Sequence, residues 1–367
     1  MPGGFELTEP SLCADELGWL ATLPDVECRL VFTENSARPT TYRVQEGPFT
    51  EAELCALPAR DWTLLVQDVE KHLPDFRRLF AAVDAIPDWR IDDLMVSCAA
   101  PGGSVGPHRD NYDVFLCQGG GKRKWMLGDA VAAVVDAGAK ELSLLQPFAA
   151  LNTYVAEAGD VLYLPPGVPH WGVAEDLCLT YSIGMRAPGK AELASGAERI
   201  YGEGASKSGD DSNDDCFYTD ADLQLDEAEP GRIAAAAVQR LRTQKLLSNA
   251  FSDEQMATIL GSVNTGTKAW LTPEMPGRQE AASIMQRITG HYSLPVHGMA
   301  RIAYYDSGDS RLFFANGHVR KLLEREIGIV RELCTSRKVC LERFSNRAEL
   351  STLLEWMVNK GVFDPAQ

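Results

Sequence analysis

His108 and Asp110 stand two residues apart inside GGSVGPHRDNYDVFLCQGGGKRKW, the stretch from Gly102 to Trp125. On a β-strand, residues i and i+2 share a face, so an H-x-D there aims an imidazole and a carboxylate at one point. A second candidate, His170, comes much later, after the rigid turn in LPPGVPHW. Two histidines and one carboxylate form a facial ligand set that leaves positions on an Fe(II) ion open for a cosubstrate and oxygen. Taken alone, H-x-D fits equally well a turn histidine beside a solvated aspartate. Three features weigh against that reading. The gap to His170 has room for several strands. The run Gly159-Asp160-VLYLP leads into the second histidine as a turn and a strand. Arg123, just beyond Gly119–Gly121, supplies a guanidinium able to grip a carboxylate with two parallel hydrogen bonds. If that segment is a strand, Lys122 and Lys124 point to the other face and to solvent; a solvent-facing Arg123 is the competing reading.

The elements that must position these groups are legible as short strands. CRLVFTENSARPTTYRVQEGPF alternates like a β-hairpin turning at Asn35 to Arg38. Trp62 to Val69 reads as a strand or a helix start. Leu73 to Ile86 puts Phe76, Leu79, Phe80 and Val83 on one helical face, as core packing. PDWRIDDLMVSCAA reads as a strand with Asp93 and Met95 on one face and Asp92 turned away. Tyr112 to Cys117 continues the strand of the H-x-D, and the triple glycine turns it as a hairpin into KRKWMLGD. Leu142–Leu145, Thr153–Val155, VLYLPP and Leu177–Met185 supply further strands. Short strands separated by Gly/Pro turns argue for a barrel or sandwich, read here as a double-stranded β-helix.

Beyond Ala187 the character changes. From Gly196 to Pro230 the chain is acidic, rich in Ser and Gly and poor in apolar residues, which suits a flexible linker. IAAAAVQRLRTQKLLSNAF is built from good helix formers. Ser252-Asp253-Glu254 caps a second helix, and a third runs to Ile288. MARIAYYDSGDSRLFFANGHVRKL reads as a hairpin turning at Asp306 to Asp309, followed by amphipathic helices in VRKLLEREIGIVREL and RAELSTLLEWMVNKGVF.

Composition bounds the rest. With 367 residues, 45% of them hydrophobic, the chain can bury two or three cores. No apolar run is long enough to span a membrane, and MPGGFELTEP has neither the basic nor the apolar region of a signal peptide. Nine cysteines without a C-x-x-C read as reduced thiols of a cytoplasmic protein. The net charge of −17 is unevenly spread: residues 1–230 carry −22, while the remainder is weakly basic at +5. An acidic catalytic part attracts a basic polypeptide and repels bare nucleic acid, although simple solubility accounts for much of that charge.

The runs PDWRIDDLM, PGG, VGPHRDNYDVFLCQG and W, then GDVLYLPPGVPHWG and YSIGMRAP, resemble the bacterial JmjC-type ribosomal oxygenases. Among these are the arginine 3-hydroxylases of a large-subunit ribosomal protein. The resemblance is close from Gly47 to Pro188 and loose elsewhere; this chain starts inside the longer N-terminal lead of that family. It implies a β-rich α+β fold: a cupin/JmjC double-stranded β-helix over residues 1–195, the acidic linker at 196–230, a helical homodimerisation region at 231–290 and a winged-helix-like domain at 291–367. It implies His108, Asp110 and His170 as ligands of Fe(II), with 2-oxoglutarate as cosubstrate and molecular oxygen. Arg123 would take the distal carboxylate of 2-oxoglutarate. Where the family often has a hydroxyl near the cosubstrate this chain has Ala99, so Thr180 or Ser182 would have to serve. Asp93, Met95 and Tyr112 match the acid, Met and Tyr that enclose the target arginine; a carboxylate fork and polarisable faces suit a guanidinium. The implied reaction is hydroxylation of an arginine β-carbon in a ribosomal protein. A histidyl or other protein hydroxylase and a non-catalytic cupin binding module are the alternatives. The winged helix leaves nucleic-acid contact open, by analogy only.

Overall fold

The computed structural model describes residues 3–4, 11–34, 40–83, 86–129, 142, 144–205, 216–220, 229–273, 275–289, 293–340 and 350–363. The chain divides into two compact units, Met1–Val83 with Asp92–Met185, and Asp84–Ile91 with Arg186–Gln367.

In the first unit, β1 (Cys28–Glu34), β2 (Thr41–Glu46), β3 (Trp62–Val66), β4 (Ile91–Ala99), β5 (Val114–Gly120), β6 (Arg123–Gly128), β7 (Ala150–Ala156), β8 (Val161–Leu164), β9 (His170–Ala174) and β10 (Cys178–Met185) build two sheets. One runs β2-β1-β3-β4-β10-β5-β8 and the other β7-β6-β9. Short helices α1 (Ala14–Leu20), α2 (Glu51–Cys55) and α3 (Val69–His72) accompany them. Burial follows position in the sheet. The edge strand β2 alternates between exposed and half-buried residues, whereas the interior strand β10 is buried along most of its length. Both patterns match what one or two covered faces require. Val114, Leu116, Trp125 and Leu164 form a core that joins strands of both sheets.

The predicted N-terminal hairpin is present: Glu34 pairs with Thr41 and Arg29 with Glu46. Its predicted turn at Asn35 to Arg38 lies outside the described residues, as does part of the predicted Leu142–Leu145 strand. Three local expectations are corrected. Residues 74–83 form a 3₁₀ segment rather than an α-helix, opening at Pro74. The triple glycine does not make a paired hairpin: β5 and β6 belong to different sheets, and Gly121 (φ +61°) carries the chain across. The H-x-D is not on the strand proper, because β5 begins only at Val114 and His108 makes a single bridge to His170.

The second unit holds α4 (Lys190–Tyr201), β11 (Arg232–Ile233), α5 (Ala235–Thr243), α6 (Asp253–Asn264), α7 (Arg278–Thr289), β12 (Leu294–Pro295), β13 (Ile302–Asp306), β14 (Arg311–Ala315), β15 (His318–Lys321), α8 (Ile327–Ser336), β16 (Lys338–Val339) and α9 (Ser351–Asn359). The sheet β11-β13-β14-β15 carries the predicted hairpin. The Val319–Lys321 part of the predicted helix is strand β15 instead. Ser252 caps α6 reciprocally with Gln255. The described parts of the segment read as a linker are ordered. Helix α4 continues to Tyr201, Tyr218 is fully buried, and Asp220 makes a buried ion pair with Arg90. Polar composition concealed this anchor, since its partners Trp89 and Arg90 are remote in sequence. Helices α5 and α6 bury their apolar faces within their own unit, against Tyr305, Leu312 and Phe314. No helix among the described residues is long and apolar enough to cross a membrane.

Candidate active site

A cavity of about 180 Å³ lies within the first unit. One wall comes from the large sheet: Arg29 of β1, Thr63 and Leu65 of β3 with Gln67 just past its end, and Asp93, Met95 and Ser97 of β4. The two-residue spacing along β3 and β4 is the strand period, so each contributes one face. Ser182 of β10 completes that wall. The opposite wall carries Arg123 and Trp125 of β6 and His170 of β9, with His108 and Asp110 on the segment before β5.

His108, Asp110 and His170 each offer a ligand atom, and these atoms lie within 4.8 Å of one another. The two rings meet edge to face with centroids 4.2 Å apart, and Nε2 of His170 is 3.7 Å from a carboxylate oxygen of Asp110. Nδ1 of His108 lies 3.0 Å from the carbonyl of Gly106, and Nδ1 of His170 lies 3.0 Å from that of Val168. A carbonyl can only accept, so both Nδ1 atoms carry the proton and both Nε2 lone pairs are free for a metal. Burial first, and then the neighbouring His108 ring, push the pKa of His170 down to about 4, against the pull of Asp110. The ring is therefore neutral, as a ligand must be.

Two glycines shape these turns. Gly106 has φ +83°, and a side chain there would run into Leu144. Gly167 has φ +81°, and its N–H donates to the Asp110 carbonyl at 2.7 Å, tying the Pro-Pro-Gly turn to the H-x-D. Ser104 reinforces the arrangement. Its hydroxyl donates to the Gly172 carbonyl (2.7 Å) and accepts from the Trp171 indole (2.9 Å) and the Gly106 N–H (3.0 Å).

Arg123 is buried, and its Nε and Nη2 have no hydrogen-bond partner among the described residues. Its guanidinium lies 5.6 Å from the centre of the Trp125 ring. A buried guanidinium with vacant donors facing a cavity fits a carboxylate ligand. Lys122 is exposed and paired with Glu157, on the far face as expected.

Asp93, Met95 and Tyr112 line the same cavity, with Tyr112 at its more exposed margin. Asp93 opens to the cavity but is otherwise enclosed by protein. That enclosure, and then the carboxylates of Asp68, Asp92 and Glu70, raise its pKa well above the usual range; Lys71 opposes them. Lys71 pairs with Asp68, whose N–H donates to Asp93 at 3.4 Å.

Of the two hydroxyls expected near the cosubstrate, Ser182 lines the cavity but Thr180 does not: its hydroxyl donates to Gln118 at 3.1 Å. Ala99 is buried against Ala174 and Cys178. Sequence reasoning missed Arg29, Thr63, Gln67 and Ser104. The inward alternation of β1 and β3 was the available signal, but it does not say which sheet faces the metal.

A JmjC domain family model matches residues 78–193. The chain is 40% identical over 193 residues to the ribosomal protein uL16 3-hydroxylase of Escherichia coli K12, covering 53% of this chain and 50% of that protein. It is 35% identical over 244 residues to a probable ribosomal oxygenase of Haemophilus influenzae, covering 65% of this chain and 58% of that protein. In sequence the chain thus spans about half the length of the curated relatives it matches. The crystal structure of the E. coli ribosomal oxygenase YcfD superposes with a TM-score of 0.70 at 30% identity, over 99% of this chain and 93% of that one. A second YcfD structure, in complex with cobalt and 2-oxoglutarate, gives 0.70 at 29% identity over the same shares. The β-rich JmjC/cupin fold expected from the sequence is the fold present.

Proposed function

The chain belongs to the JmjC-domain ribosomal oxygenases, and on that premise we propose that it is an Fe(II)- and 2-oxoglutarate-dependent protein hydroxylase. Its target in this reading is the β-carbon of an arginine in a large-subunit ribosomal protein. The observation that carries the reading is one cavity joining the His108–Asp110–His170 cluster, the vacant donors of Arg123 and the carboxylate of Asp93.

In this account His108 and His170 bind iron through Nε2 and Asp110 through its carboxylate. The carbonyls of Gly106 and Val168 hold the two rings in the required tautomer. Iron with 2-oxoglutarate and oxygen supplies an oxidant able to hydroxylate an unactivated C–H bond. Arg123 grips the distal carboxylate of the cosubstrate and so fixes its orientation. Asp93 receives the substrate guanidinium, with Met95 and Tyr112 flanking it, and the cavity walls hold the target carbon near the metal while excluding water. Asp93 favours a cationic side chain over a neutral histidine. The chain's net charge of −17 favours a basic ribosomal polypeptide.

For the second unit the reading is a homodimerisation region over residues 231–290 and a winged-helix-like domain over 291–367. The small antiparallel sheet packed with α8 supports the latter. Trp270 and Met275, each more than half exposed, are apolar surface that a second copy would cover. Light scattering of the purified protein tests the dimer.

The activity test is direct. Protein supplied with Fe(II), 2-oxoglutarate, ascorbate and air should add one oxygen atom to an arginine of a uL16 peptide and release succinate. An unmodified peptide with no succinate formed would remove the proposal.

A further inference from the structure

Thr63 is fully buried, lines the cavity, and its hydroxyl has no hydrogen-bond partner among the described residues. Leaving a buried hydroxyl unsatisfied costs stability, so the position calls for a partner. The strand registers give its surroundings. Thr63 of β3 is the direct cross-strand neighbour of Ala99 in β4. Ala99 packs on Ala174 and Cys178, and Ala174 is in turn the cross-strand neighbour of Arg123. Thr63 and Arg123 thus reach the cavity at the same end, across a patch of small, buried residues. The two residues share one property there: a buried donor with nothing to donate to.

We propose that Thr63 is a second anchor for the cosubstrate's distal carboxylate. It supplies, from the neighbouring strand, the hydroxyl that Ala99 lacks. The inference rests on the oxygenase reading above and makes it more specific. A carboxylate presents about four lone-pair sites, enough to accept two N–H bonds from Arg123 and one O–H bond from Thr63. Thr180 is not available for the role, because its hydroxyl is already engaged with Gln118. Ser182 lies four residues beyond Cys178 along β10, away from the small-residue patch. The ligand class is a short, flexible dicarboxylate or oxo-acid whose far end carries a negative charge.

Thr63→Val is isosteric and removes only the hydroxyl; Thr63→Ser keeps it. Calorimetric titration of 2-oxoglutarate onto manganese-loaded protein, which cannot turn over, separates the cases. The expected result is about a tenfold weaker affinity for Thr63→Val, near-native affinity for Thr63→Ser, and unchanged manganese affinity in both. Without cosubstrate, Thr63→Val should melt above the wild type, since an unsatisfied hydroxyl has been replaced by a methyl. If Thr63→Val binds 2-oxoglutarate as the wild type does, or melts below it, the assignment of Thr63 is overturned while the oxygenase reading stands. If the wild type itself fails to bind 2-oxoglutarate, that reading falls and the Thr63 assignment with it.

Discussion

His108 and His170 clasp each other through the main chain: the N–H of His108 donates to the carbonyl of His170 at 3.0 Å, and the N–H of His170 returns the bond at 2.8 Å. Two candidate ligands remote in sequence are therefore fixed by a two-bond bridge as well as by their side chains. Each ring has its Nδ1 directed at the carbonyl two residues before it, so the imidazoles are oriented by the same backbone that joins them. A site preorganised in this way loses little freedom when it takes a metal.

The bridge depends on the irregular segment before β5, and Ser104 ties that segment to β9. Ser104→Ala removes the acceptor of the Trp171 and Gly106 bonds and the donor to Gly172. Metal affinity should fall by about tenfold or more while far-ultraviolet circular dichroism stays native. Unchanged metal affinity would show that other contacts hold the segment.

Arg123→Lys keeps the charge but loses the two-pronged geometry. Its affinity for 2-oxoglutarate should drop by roughly 10- to 100-fold, with metal binding intact. Equal affinity in wild type and Arg123→Lys would mean that the carboxylate is gripped elsewhere.

In the proposed reading Asp93 links stability to substrate capture. Its pKa is raised by burial and by nearby carboxylates, so the native state binds a proton more readily than the unfolded chain does. Stability from this group is thus greatest at low pH and declines as pH rises through the interval between the ordinary and the raised pKa. At neutral pH Asp93→Asn should raise the melting temperature of the free protein and yet abolish turnover of an arginine peptide. Simultaneous loss of metal binding would show that the residue serves the metal site instead.

His170 behaves in the opposite sense. With its pKa pushed to about 4 from the usual 6.5, the metal-free fold loses this residue's contribution as pH falls through that interval, because unfolding releases the ring to take a proton. Metal occupancy should persist through mildly acid solution and fail as pH approaches the depressed value, which equilibrium dialysis at stepped pH would measure. Loss of metal already near neutral pH would contradict a neutral, buried His170.

The convergence of His108, Asp110, His170 and Arg123 on one cavity was legible because each depends on a residue type at a short fixed spacing or just after a turn. So were most strands, whose alternation survives in either sheet. The crossing at Gly121 was not, since a glycine run permits a tight hairpin and a change of sheet alike. Thr63 and Arg29 escaped because they meet β6 only across a cavity, a relation absent from local pattern. The Arg90–Asp220 pair and buried Tyr218 were hidden for a related reason: an acidic, glycine-rich stretch looks unable to fold until its remote partners are known.

The most direct test of the account is an anaerobic titration of Fe(II) into the protein with 2-oxoglutarate present, followed by visible absorbance. The account predicts a charge-transfer band that needs both components, saturates at one iron per chain, and is missing from His108→Ala, Asp110→Ala and His170→Ala. A flat trace from the wild type, or an undiminished band in those variants, would contradict it.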